Sequence, residues 1–82
     1  MTREQEIRHE VLLQLYGSGS IPISLAHIKK VARRGGFDYL ETEIRNAAHF
    51  LKGQGFCVEV QDAATGEVRF NITSAGMLNY EK

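Results

Sequence analysis

Tryptophan is missing from this 82-residue sequence, cysteine and proline occur once each, and positive and negative charge cancel. A single thiol, Cys57, excludes an intrachain disulfide. The opening stretch, Met1 to Glu10, is charged and lacks the apolar core of a secretory signal. A lone cysteine without such a signal predicts a reducing, cytoplasmic setting. No apolar run approaches the ~20 residues of a membrane span, so no membrane partner is expected. A net charge of zero argues against strong, indiscriminate binding of polyanions. At this length a chain buries roughly three-fifths of its unfolded surface, enough for one domain, 1–82, with a thin core.

The charges are unevenly spread. Between Ala26 and Lys52 stand Lys29, Lys30, Arg33, Arg34, Arg45 and Lys52, against only Asp38, Glu41 and Glu43. Both flanking stretches are net acidic, so the middle of the chain is its positive part.

Hydrophobic periodicity predicts four helices and a hairpin. Thr2 and Gln5 have the spacing of a capping box. Ile7, Val11, Leu12, Leu15 and Tyr16 follow on one helical stripe, giving a helix near 3–16 with Gly17 as its left-handed cap. Ile21 and Ile23 flank Pro22 in a short extended piece, confined to a sheet edge because proline donates no ladder bond. Ser24 caps a second helix near 24–34, with Leu25, Ile28, Val31 and Ala32 inward and Gly35-Gly36 at its end. Asp38, with Glu41 three residues on, predicts a capping box for a third helix near 39–52. Its buried stripe reads Leu40, Ile44, Ala47, Ala48 and Leu51. From Phe56 the period changes to two, predicting strands near 56–61 and 67–72. Phe56, Val58 and Val60 form one apolar face, and Val68, Phe70 and Ile72 another. Thr73 caps a last helix near 74–80.

The order helix, short strand, two helices, hairpin, helix predicts an α+β winged helix-turn-helix with a three-helix core and a wing of two to three strands. Leu51-Lys52-Gly53-Gln54-Gly55-Phe56-Cys57 resembles the passage from recognition helix to wing in transcriptional regulators of the MarR and PadR kind. Ile72-Thr73-Ser74-Ala75-Gly76 resembles the segment that closes their wing. The resemblance runs from about Ile21 to Tyr80 and implies a DNA-binding module in transcriptional control, with the third helix in the major groove. The chain departs from the pattern at Glu41 and Glu43, near the start of the reading helix, and in a wing loop, Asp62 to Glu67, without a basic residue. The long dimerisation helices of those regulators have no counterpart here.

Thr42, Arg45, Asn46, His49 and Lys52 recur at three- and four-residue steps on the polar side of the third helix. Arginine and asparagine in such a row are the types that read guanine and adenine edges; a solvated face looks the same. Lys29, Lys30, Arg33 and Arg34 suit phosphate contacts, or the negative end of a helix dipole. Double-stranded DNA is therefore the first expected partner and a protein the second, with the oligomeric state open between monomer and weak dimer. Glu41 is explained as a cap partner, which leaves Glu43 available to a protein-facing surface. Arg69 is expected to pair with Glu59 across the hairpin. Cys57, without an activating base nearby, is expected to be a half-buried strand residue.

No cofactor, metal or catalytic site is expected. His9, His27 and His49 are far apart, and no ligand set has zinc spacing. Gly53-Gln54-Gly55 starts like a dinucleotide fingerprint, but Val58 stands at the third glycine position and a helix precedes it.

Overall fold

A computed structural model describes residues 1–82. Helix α1 (Arg3–Ser18) leads to a short strand β1 (Ile23–Ser24) and helix α2 (Leu25–Arg34). Helix α3 (Glu41–Gly53), strands β2 (Cys57–Gln61) and β3 (Val68–Ile72) and helix α4 (Ser74–Glu81) complete an α+β fold. The sheet is antiparallel throughout, in the order β1-β3-β2. No helix is long and apolar enough to cross a membrane.

Most of the caps form as the residue types dictate. Thr2 Oγ1 accepts from Gln5 N at 3.2 Å while Gln5 Oε1 accepts from Thr2 N at 2.9 Å, a complete capping box. Ser24 and Thr73 accept from His27 N and Gly76 N at the starts of α2 and α4. Helix α1 runs past Gly17 and stops at Gly19, whose φ of +60° accommodates the turn.

The start of α3 differs from the expectation. Asp38 does not cap it, and the helix begins at Glu41, with Leu40 at the cap position. Residues 37–40 stay outside the helix, with Leu40 extended, because Tyr39 is drawn into the core, 5% exposed, where its ring stacks on Phe37 at 5.6 Å. Leu40 is turned outward by the same path and is 64% exposed instead of joining the buried stripe.

In the hairpin, β3 turns Phe70 and Ile72 inward as expected, whereas β2 buries the face opposite to the expected one. Residues directly opposite on an antiparallel pair share a face, and Cys57 stands opposite Ile72, Glu59 opposite Phe70. Phe70 and Ile72 face the helices and are buried, so the odd-numbered residues of β2 face the helices too. Cys57 is therefore fully covered, and its thiol donates to Ala48 O at 3.6 Å. Burial pushes that thiol up to about 11. Val58 and Val60 lie on the outer, exposed face with Arg69 and Asn71.

Fifteen buried residues form one cluster between α1, α2, α3 and the inner face of the sheet. Ile7, Val11, Leu12 and Leu15 of α1 meet Ile28 and Ala32 of α2, and Ile44, Ala47, Ala48 and Leu51 of α3. Ile23, Cys57, Phe70 and Ile72 close it from the sheet side. Helix α4 lies against α1, where Tyr80 stacks on Tyr16 at 4.5 Å and Tyr16 Oη donates to Glu81 Oε2 at 2.7 Å.

Candidate nucleic-acid interface

Helix α2 carries Lys29, Lys30, Arg33 and Arg34 and no acidic residue. Lys30, Arg33 and Arg34 are exposed and Lys29 is half-buried. None of the four makes an ion pair. Their apolar neighbours Ile28 and Ala32 anchor the opposite side of the helix in the core, which fixes these cations towards solvent. Arg33 and Arg34 also lie in the last turn, where positive charge complements the exposed carbonyls.

Helix α3 packs against α2 and α1. Thr42, Arg45, Asn46, His49 and Lys52 are all exposed on it, as a 3.6-residue period with Ile44, Ala47, Ala48 and Leu51 inside requires. The row is not electrostatically uniform. Arg45 Nη2 lies 3.5 Å from Glu41 Oε1, one helical turn away. Lys52 Nζ lies 3.5 Å and His49 Nδ1 3.9 Å from the same oxygen of Glu59 on β2. The His49 ring also meets the edge of Phe70 at 6.1 Å. Asn46 lies on the α1 side and lines a groove of about 320 Å³ with Glu4, Ile7, Arg8, Glu43 and Ala47. The helix thus offers Thr42 and Asn46 without a charged partner, two cations, Arg45 and Lys52, that each have one, and His49 beside the carboxylate that holds Lys52.

Two acidic residues exchange the roles the sequence suggests. Glu43 is the cap partner: its Oε1 accepts from Leu40 N at 2.9 Å. It also takes a forked bond from Arg3, Nε to Oε2 at 2.7 Å and Nη2 to Oε1 at 3.1 Å. These bonds, that from Arg3 first, hold its carboxyl at about 2, well below the usual 4.5, and raise the guanidinium of Arg3. Glu43 is thereby a link between α1 and α3. Glu41, exposed and paired only with Arg45, is the acid that stands over the face of α3.

Arg69 does not reach Glu59, which lies on the opposite face of the sheet. Its Nε lies 3.1 Å from Glu67 Oε1 and its Nη2 3.9 Å from Asp62 Oδ2, so the one cation of the hairpin is held by its own loop. That loop, Asp62 to Gly66, is closed by Asp62 Oδ1, which accepts from Ala64 N and Thr65 N.

The pairing of Lys52 and His49 with Glu59 has a trace in the sequence only once the faces of β2 are known, because it depends on Glu59 facing the helices. Arg8 is a further residue the pattern left unassigned: its guanidinium lies 3.6 Å over the ring of Phe50, covering an aromatic that α3 leaves 43% exposed. The chain matches no family model and no curated protein.

Proposed function

We propose that this fold is a winged helix whose function is to bind duplex DNA, with α3 lying in the major groove and α2 holding the flanking phosphates. The observation that carries the reading is the set of four cations on α2 without an acidic partner, next to a helix whose exposed arc is polar apart from Phe50, which Arg8 covers. Lysine and arginine with no internal partner are available to phosphate oxygens and release counterions on binding. Thr42 and Asn46 are then the uncharged groups that reach base edges, and Arg45 reads guanine after leaving Glu41. Glu41 acts against non-specific binding: each encounter must separate the Arg45–Glu41 pair or leave a carboxylate facing the groove.

Anisotropy titrations of a mixed-sequence duplex test this assignment. Glu41→Gln frees Arg45 and removes one repulsive charge, and is expected to tighten binding several-fold at low salt. Arg45→Ala is expected to weaken it by about fivefold, the lower end of a lost base contact. Both positions are exposed, so circular dichroism should find the fold intact. Unchanged affinity in both variants would remove α3 from the interface. A protein-docking role then takes its place, favoured by the internal neutralisation of Arg45 and Lys52 and by the exposed valines of β2.

A further inference from the structure

Strand β2 is an edge strand, paired only with β3. The direction of its backbone groups follows from the two ends of that ladder. Thr73 N donates to Phe56 O at 3.1 Å, and Asp62 N donates to Glu67 O at 2.8 Å. Both bonds fit the register in which Cys57 faces Ile72 and Gln61 faces Val68. Hydrogen-bonded pairs alternate along an antiparallel ladder, so Val58 and Val60 turn their N–H and C=O groups towards β3, in line with the C=O of Phe56 and the N–H of Asp62 at its two ends. Cys57, Glu59 and Gln61 turn theirs to the open side. Cys57 is covered as a whole residue, whereas Glu59 and Gln61 are exposed. The free backbone edge is therefore Glu59 and Gln61.

Proteins usually guard such an edge with lysine, proline or a bulge. This strand, Cys57-Val58-Glu59-Val60-Gln61, has none of these three; its one edge charge is the inward-facing Glu59, which Lys52 pairs, and its register is unbroken. Its outer face instead presents Val58 and Val60, 47% and 38% exposed.

We infer that a second copy of this chain pairs with the free edge of β2, antiparallel about a two-fold axis, with Val60 opposite Val60 and Glu59 opposite Gln61 of the second copy. The backbone selects this register. Setting Glu59 against Gln61 twice engages both free residues of each copy and forms four hydrogen bonds. Centring the pair on Glu59 would need the covered edge of Cys57 and would place two carboxylates face to face. The side chains agree. Val60 meets its copy at a non-hydrogen-bonded position, where opposed side chains come closest. Each Glu59 meets an amide donor in Gln61, which within its own chain is held by one 3.4 Å bond to Gly66 O. A net charge of zero leaves no overall repulsion between copies. Pairing over so short an edge buries less than the ~1,000 Å² typical of stable interfaces, so the dimer is weak and concentration-dependent. This inference is independent of the DNA reading.

Cysteine trapping reads the register directly. Opposed residues of a non-hydrogen-bonded antiparallel pair have Cα atoms about 4.5 Å apart, within the range a disulfide spans. In a glutathione buffer Val60→Cys is expected to form a covalent dimer at least tenfold faster than Val58→Cys, which is similarly exposed but faces Asp62 of the second copy. The native Cys57, buried, stays out of the reaction. Sedimentation of the unmodified chain should show dimer growing in at roughly 10–500 µM, the range of small interfaces. Val60→Lys, which puts a lysine on the edge strand and sets two cations face to face on the two-fold axis, should abolish that dimer across the whole range. Equal trapping at both positions, or a single-chain sedimentation coefficient across the whole range, would overturn the proposal. Pairing with an extended peptide from another protein while the chain stays monomeric would overturn it equally, because it assigns the edge a different occupant.

Discussion

Glu43 makes three hydrogen bonds with two oxygens, to the cap of its own helix and to the first turn of another. Such a carboxylate is stabilised in its charged form, which makes its contribution to stability depend on pH in a known direction. Its folded value, about 2, lies below the ordinary 4.5. The contribution is therefore complete above about pH 5 and is lost as pH falls through about 2. Glu43→Gln keeps an oxygen for Leu40 N but gives up the ion pair with Arg3. Its melting temperature is expected to lie below that of the unmodified chain between pH 5 and 7, with the gap closing as pH approaches 2. A gap that stays constant over this range would mean that the charge on Glu43 contributes nothing. The identity of this residue's role was hidden because Asp38 and Glu41 have the spacing of a capping box, whereas the true cap position is an apolar leucine. Only the burial of Tyr39, a tertiary demand, moves the helix start.

Strands and helices were legible as elements; which of their faces turned inward was legible for α1, α2, α3 and β3, and not for β2. In α1, α2 and α3 the apolar residues repeat often enough that one stripe is unambiguous, and Ile7, Val11, Ile28, Ile44 and Leu51 are all buried. In β2 the period-two pattern leaves a choice between two faces, and valine against cysteine and glutamate suggests the wrong one. The deciding constraint is the register with β3, where Phe70 and Ile72 must both be buried. The junction of β3 and α4 shows the converse, a residue whose identity is explained by packing alone. Gly76 lies in the first turn of α4, and a Cβ there would run into the carbonyl of Phe56 and the side chain of Ile72. That carbonyl already accepts from Thr73 N, while Thr73 Oγ1 donates to Gly55 O at 2.6 Å. Gly76→Ala must therefore push α4 off the root of the hairpin. It is expected to cost about 1–3 kcal/mol, as overpacking of a close contact does, and to lower the melting temperature by at least ~5 °C in a domain of this size. Melting unchanged within error would show that α4 does not sit against Phe56.

Across the whole molecule, charge is sorted by helix more than by surface. Acidic residues flank or hold the cations of α1, α3 and the hairpin, and α2 alone keeps its cations free. Three or four phosphate contacts are what such a distribution can supply, since four of the six central cations sit unpaired on α2 while Arg45 and Lys52 on α3 are held by Glu41 and Glu59. Each phosphate neutralised contributes about −0.9 to the slope of log affinity against log salt, so the duplex-binding account requires a slope of about −3 to −4. The measurement that tests it most directly is this slope, taken by anisotropy with a mixed-sequence duplex for the unmodified chain and for Lys30→Ala/Arg33→Ala/Arg34→Ala. The account predicts the full slope in the first and one shallower by about 2 to 3 in the second, with circular dichroism unchanged. Absence of binding at low salt, or the same slope in both proteins, would contradict it.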